Sequence, residues 1–458
     1  MMPHLDIMLL IVIMMVLMAG YPVALTLGGA SVVMAGLGWL TGEFDLALLH
    51  ALPSRLFGIM TNPVLVAIPL FVFMGLVLER SRVAEGMLNA SARLFVNKRG
   101  GLAISVTLVG AIMAASTGIV GASVVTLALL ALPGMIRNGV SPELAGGTVA
   151  ATGTLGQIIP PSIVLIILGD QMSNAWQKVQ LDAGEFAPET VSIADLFAGA
   201  LLPGLLIVLF FCLYQFARGS KPTCDVDLLQ NDETVGNLLW AFAPPLVLVL
   251  AVLGSILIGL ATPSEAAGIG AVGSLWLARG KLSIAQLKQV LEDSVHLIAM
   301  IFLIIIGASV FSLVFRGFGG EETITVLLAD LPGGTYGALF IVMLVIFGLG
   351  FFLDFLEISL VVIPLVAPVL LAMPMADGTP MNPVWLGVLF AVVLQTSFLT
   401  PPFGLSLFYL RSAAGELVST SALYRGVIPF IFLQVLALIC VVVVPGFATI
   451  IPHWLYGE

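Results

Sequence analysis

Apolar residues fill this chain in long blocks separated by short polar stretches, at about 5–19, 22–40, 62–79, 101–136, 142–170, 194–217, 237–260, 264–278, 289–315, 337–373, 384–411 and 426–451. A bilayer's hydrocarbon, ~30 Å thick, takes ~20 apolar residues of helix to cross. The pattern predicts an all-α polytopic membrane protein. Between the second and third blocks, residues 44–60 mix apolar side chains with His50 and Arg55. That mixture predicts an amphipathic helix lying along the membrane interface. Residues 218–237 form the most polar stretch and divide the chain near its middle.

The two halves carry a repeat. A shift of 241 positions lays Pro142, Gly146, Ala150, Pro160 and Pro161 on Pro383, Gly387, Ala391, Pro401 and Pro402. The same shift lays LLALP at 129–133 on LLAMP at 370–374, with no gap. The first broken segment runs into Asp170 and an acidic loop, the second into Arg411. Opposite flanking charge predicts opposite orientation of the two units.

Each unit breaks an apolar helix at a double proline. A proline inside a helix costs roughly 3 kcal/mol, and in hydrocarbon the freed carbonyls meet no water. Such a break persists only where it faces protein or a polar cavity. From Pro142 to Gly153 a helix rises roughly 17 Å, at ~1.5 Å per residue, which predicts that GTLGQIIPP lies near the bilayer midplane. TSFLTPP, at 396–402, falls at the same depth in the second unit.

The preceding blocks read as re-entrant hairpins. Residues 101–115 make a helix of roughly 22 Å, too short to cross, followed by Ser116, Thr117 and Gly118. The second unit has its polar centre at 350–359, with Gly350, Asp354 and Glu357. Acids at that depth cost ~2.5–3.5 kcal/mol each on insertion scales, which favours a functional reading of Asp354 and Glu357 over a pair that reaches an aqueous vestibule or a structural arginine such as Arg316. Ser116, Thr117 and Gly118 also suit close helix packing, and Thr400 also suits a helix cap. Two tips and two breaks at one depth expose carbonyls to a cation and amides to a carboxylate.

Composition narrows the rest. The chain is 60% hydrophobic and 9% charged, against about 25% charged in soluble domains. The opening residues lack a basic stretch and a cleavage site, so they read as a first membrane segment. Positive charge gathers at 80–99, at Arg218 and Lys221, and at 279–288, which predicts a cytoplasmic side for those loops. Cys212, Cys224 and Cys440 have no metal spacing, and the four histidines form no cluster.

Several motifs stand in an order that resembles the large membrane subunit (DctM-like) of the TRAP, or tripartite ATP-independent periplasmic, transporters. They are AIPLF at 67–71, STGIVGASVVTLALLALPGM at 116–135, GQIIPPS at 156–162, TPSEAA at 262–267 and LTPPFGLSLF at 399–408. The first tip departs from the family's usual Ser-Gly-Ser, since Thr117, Gly118 and Ile119 stand there. The resemblance implies an elevator of the ion transporter superfamily, with inverted repeats, two re-entrant hairpins and two broken helices. It implies scaffold helices at 1–80, a first transport unit at 81–190, central scaffold helices at 191–330, a second transport unit at 331–415 and a final helix at 416–458.

The resemblance also implies two sodium sites. Carried over, the first involves Ser116, Thr117, Gly118 and Gly153, and the second Gly350, Ser397, Thr400 and Phe403. Asp354 joins the candidate ion ligands, and Thr154, Gln157, Ser162 and Glu357 are the candidate substrate contacts. Sodium is the expected coupling ion. The expected partners are a small four-helix membrane subunit on a separate chain, a soluble periplasmic binding protein, an organic acid and the bilayer of the bacterial inner membrane. No nucleic-acid partner is expected. The competing reading is a self-sufficient sodium–carboxylate symporter of the divalent-anion type. An intramembrane aspartyl protease is disfavoured, because no second membrane aspartate accompanies Asp354. Two closed hairpins argue for occlusion over a passive channel.

Overall fold

The computed structural model describes residues 4–457 apart from 82, 96–97, 119, 220–234, 377, 402–403 and 416. Among the described residues the chain is helical, with an isolated bridge between Pro374 and Pro380.

Helix α1 (Leu5–Met18) is apolar but for Asp6, a buried acid in its first turn that the sequence reading passed over as a second membrane aspartate, and α2 (Val23–Thr41) is apolar but for Thr26, Ser31 and Thr41 and closes on Gly42 at a left-handed φ of 78°. A 3₁₀ turn (Leu46–Ala51), capped by Asp45 Oδ1 accepting from the Ala47 N–H at 2.8 Å, leads into α3 (Leu52–Thr61). Phe57 and Met60 are exposed while Arg55 is half-buried. This is the amphipathic arm expected at 44–60.

Next come α4 (Ala67–Arg80) and α5 (Val83–Phe95), then a hairpin of α6 (Gly101–Thr117), α7 (Val120–Leu130) and α8 (Leu132–Arg137). The α6 helix ends at Gly118, whose φ of 60° lets the chain turn. The turn falls where the sequence put the tip, and α7 packs back on α6. Helix α9 (Pro142–Thr154) begins with proline at a position whose N–H has no helical partner anyway, and Ser141 caps it. It ends in a 3₁₀ turn (Leu155–Gln157), and α10 (Ile163–Asp182) resumes only after both prolines.

Helix α11 (Ile193–Arg218) opens on a capping box of Ser192 and Asp195. Most of the polar link expected after it lies outside the described residues. Then follow α12 (Val235–Leu257), α13 (Pro263–Leu277) and α14 (Ile284–Gly317). At 34 residues, α14 outruns its apolar block, because Ser283 and Gln286 cap each other's backbone N–H and start the helix in polar sequence.

Helices α15 (Gly320–Ala329) and α16 (Gly334–Leu349) meet at a 120° bend, a feature the apolar pattern did not reveal. The second hairpin then runs through 350–354 into α17 (Phe355–Glu357), a π turn (Ile358–Val362) and α18 (Ile363–Ala372). Pro364 has no N–H to give the Leu360 carbonyl, and the widened turn lies where that bond is missing. Helix α19 (Pro383–Leu399) breaks, α20 (Leu405–Ala414) resumes, and α21 (Thr420–Val443) and α22 (Gly446–Tyr456) finish the chain. Among the described residues, six helices are long and apolar enough to cross a membrane, or up to seven if the bent pair is one span.

Contacts gather these helices into two compact units. The first comprises Met1–Val66, Ile167–Val191 and Val295–Pro383, and the second Ala67–Ile166, Ser192–Ser294 and Val384–Glu458. Each hairpin-and-break unit outlined from the sequence contributes to both. In the first, α2 packs on α14 through small residues. A Cβ on Gly28 would stand 3.9 Å from the Gly307 Cα, and the Phe44 and Phe318 rings meet at 5.1 Å beside Gly38 and Gly317. In the second, the leading halves of the broken helices are central. Every residue from Leu144 to Thr154 in α9 and from Val384 to Leu399 in α19 is buried. Gly147 lies against the Gly426 carbonyl, so α9 and α21 approach backbone to backbone.

Candidate functional site at the first hairpin tip and helix break

Gly118 forms the first tip. Its N–H donates to the Ala114 carbonyl at 3.0 Å. A Cβ there would stand 3.2 Å from the Ile163 backbone nitrogen and 3.1 Å from its side chain. The tip therefore abuts the start of α10, the downstream half of the broken helix. On the upstream half, a Cβ on Gly156 would stand 3.4 Å from the Ala114 carbonyl oxygen, and one on Gly153 would strike the Val124 side chain. Glycine at 153 permits the approach, whereas a Cβ at 156 would be in ordinary contact. Two helix C-termini, of α6 and α9, thus point carbonyls toward one junction, and the N-terminus of α10 offers amides to it. Ser116 and Thr117 are the last residues of α6, and their side chains lie outside the described set.

A polar cluster sits on the upstream half. Thr154 Oγ1 donates to the Ala151 carbonyl at 2.8 Å and accepts from Gln434 Nε2 at 3.3 Å and Gln395 Nε2 at 3.5 Å. Ser162 Oγ donates to the Gln157 carbonyl at 3.0 Å, tying the two sides of the break. The Gln157 side-chain amide is fully buried, and neither its nitrogen nor its oxygen has a partner among the described residues. The structure thus brings Gly118, Gly153, Thr154, Gln157 and Ser162 to one junction.

The second tip and break belong to different compact units, the tip to the first and the break to the second. Asp354 and Glu357 form a capping box: Asp354 Oδ1 accepts from the Phe355 N–H at 2.6 Å, and Glu357 Oε2 accepts from the Asp354 N–H at 3.0 Å. The acids therefore start the return arm of the hairpin. Gly350 closes α16, with its N–H on the Ile346 carbonyl at 3.0 Å. At the break, Ser397 Oγ donates to the Leu394 carbonyl and Thr400 Oγ1 to the Thr396 carbonyl, both at 2.8 Å. A hydroxyl that donates backward keeps its lone pairs for a cation. Phe403 lies outside the described residues.

Sequence reasoning missed Gln395 and Gln434. Both are fully buried amides in otherwise apolar helices, which is the signal that could have found them. It also missed Gln215 Nε2, which donates to Thr107 Oγ1 at 2.6 Å and Thr148 Oγ1 at 3.3 Å, and Thr126 Oγ1, which donates to Glu79 at 2.9 Å. Among the described residues no group of three or more His, Cys, Asp or Glu could hold a metal ion. The junction offers carbonyl and hydroxyl oxygens, a donor set for a weakly held alkali cation and not for a transition metal.

The profile of the family described as "Tripartite ATP-independent periplasmic transporter, DctM component" matches residues 10–447. The chain belongs to this family. It is 29% identical to the C4-dicarboxylate TRAP transporter large permease protein DctM of Pseudomonas aeruginosa, over 89% of this chain and 90% of that one. It is 26% identical to the sialic acid TRAP transporter large permease protein SiaM of Vibrio cholerae, over 96% and 97%. The fold is similar to that of the Alcanivorax borkumensis YdaH transporter, with a TM-score of 0.62 at 15% identity over 97% of this chain and 99% of that one. As a DctM component built of apolar spans, the chain is a multi-pass inner-membrane protein. Its relatives are named as permeases, so it is a transport component and not an enzyme.

Proposed function

We propose that this chain is the large permease subunit of a sodium-coupled importer of an organic acid, working as an elevator. A soluble periplasmic protein hands over the substrate, and a small membrane subunit on a separate chain completes the scaffold. The observation that carries the reading is the close approach of Gly118 to Ile163. It joins a hairpin tip to a helix break, the arrangement from which ion-coupled transporters build sites out of helix ends.

Sodium at this junction is held by oxygens of Ser116, Thr117, Gly118 and Gly153. The ion draws the first tip onto its break. The substrate carboxylate then meets Thr154, Gln157 and Ser162. Gln157 supports that assignment, because a buried amide without a partner is costly by ~1–3 kcal/mol until something pairs with it. Cation and anion travel together, which lowers the cost of carrying either charge through hydrocarbon. Relatives named for C4-dicarboxylates and for sialic acid support an acid as the cargo.

Uptake into proteoliposomes holding both membrane subunits, with the binding protein outside, tests the reading. A sodium gradient is expected to drive accumulation, and Ser116→Ala or Thr400→Val to weaken its sodium dependence more than its folding. Uptake indifferent to sodium sinks the coupling. Uptake indifferent to the soluble partner sinks the tripartite assignment.

A further inference from the structure

The chain has only 16 Lys and Arg and a net charge of −10, yet three of its cations line one cavity. This cavity, about 480 Å³, lies among α3, α10, α14 and α18, wholly within the first compact unit. Its size falls in the ~300–1,000 Å³ range of small-molecule sites. Arg55, Lys178 and Arg316 line it, and Asp170 is the one acid in its wall among the described residues.

Most of these charges are already matched. Glu321 accepts from Lys178 Nζ at 2.6 Å and from Arg316 Nε at 2.7 Å. The Asp170 carboxylate accepts from Asn62 at 2.9 Å, Gln171 at 2.9 Å and Asn174 at 3.3 Å. Arg55 is the group left over, with no hydrogen bond or ion pair to any described residue. Burial, and then the neighbouring Arg316, lower its pKa, and Glu321 only partly opposes them. A guanidinium stays charged in proteins. A half-buried one facing a second arginine is therefore strained until an anion joins it.

We propose that this cavity is an anion vestibule, in which Arg55 pairs with the carboxylate of a small organic acid. Guanidinium and carboxylate match as a planar, two-bond pair. The amides and hydroxyls of Asn62, Asn174, Ser309 and Ser312 around it suit a short polar acid better than an acyl chain. The choice of a carboxylate rests on the function proposed above; the surplus of positive charge does not.

Site-directed labelling tests this. With the three native cysteines changed to serine, Ser312→Cys puts a thiol on the cavity wall. Labelling of the full chain by a water-soluble maleimide is timed in nanodiscs of neutral lipid, with succinate, N-acetylneuraminate or neutral succinamide added. At least one of the acids is expected to slow labelling about tenfold or more, the scale of a charged hydrogen bond, and succinamide to leave it unchanged. Arg55→Gln is expected to abolish the protection and Arg55→Lys to keep part of it.

No protection by any acid, equal protection by succinamide, or protection that survives Arg55→Gln overturns the assignment. So does protection that appears with anionic lipid alone, which would give the site to a lipid headgroup. The contrast between acid and amide needs no Arg55 variant, so it stands even if Arg55→Gln fails to fold. Labelling requires neither sodium nor partner subunits. Its failure sinks the vestibule alone, whereas sodium-independent uptake sinks the transport reading alone.

Discussion

Thr154 and Gln395 occupy equivalent positions 241 residues apart in the two repeats, and the Gln395 amide donates to the Thr154 hydroxyl at 3.5 Å. In a pair of elements related by a twofold axis, a residue meets its own equivalent only beside that axis. The contact therefore places Thr154 and Gln395 beside the axis that relates the two repeats.

Thr154→Val should strand two buried amides, Gln395 and Gln434. Each orphaned group costs ~1–3 kcal/mol. Unfolding in detergent is expected at lower denaturant than for the parent. Adding Gln395→Leu should then cost less than it does alone, giving a coupling of at least ~0.5 kcal/mol. Additive single effects would show that the pair does not interact.

Gly153→Ala should drive a methyl into Val124 and push α7 off α9. Overpacking of this kind costs ~1–3 kcal/mol. Val124→Ala in the same chain makes room, so thermal stability should partly return in the double variant. Failure to recover would mean that Gly153 matters for something other than the helix approach.

Asp354→Asn keeps a residue that caps helices nearly as well as aspartate. The fold should therefore survive, with a thermal midpoint close to the parent's. If the carboxylate also faces sodium, the sodium concentration for half-maximal uptake should rise several-fold. Asp354→Ala, which removes the cap, should destabilise by ~0.5–2 kcal/mol as well. A normal sodium response in the asparagine variant would reduce Asp354 to a cap.

Glu321→Gln leaves Lys178 and Arg316 without their shared anion. All three side chains are about one-third exposed, so solvent screens the loss to ~1 kcal/mol or less. The difference from the parent should shrink further in high salt. A large, salt-insensitive loss would show that the cluster is buried in the assembled transporter.

Local chemistry made much of this protein legible. Hydropathy marked the spans, the mixed arm at 44–60 marked itself by its polar interruptions, and the repeated prolines marked both breaks. The first tip was readable because Gly118 follows a helix too short to cross. The start of α14 was not, since its capping pair lies in polar sequence outside the apolar block. Nor was the bend between α15 and α16, because two glycines in a loop do not state an angle. Gln395, Gln434 and Arg55 drew no notice as a group, because what gives each its role is a neighbour far away in the chain.

The amino-acid order alone determined where helices form, where they stop and that the design occurs twice, because propensity, proline and apolar length act within a few turns. Only the tertiary structure decided that Thr154 would meet Gln395, that Gly118 would rest on Ile163 and that Arg55 would face a cavity without an acid of its own. Those outcomes depend on how helices distant in sequence pack, and packing is a property of the whole set of surfaces.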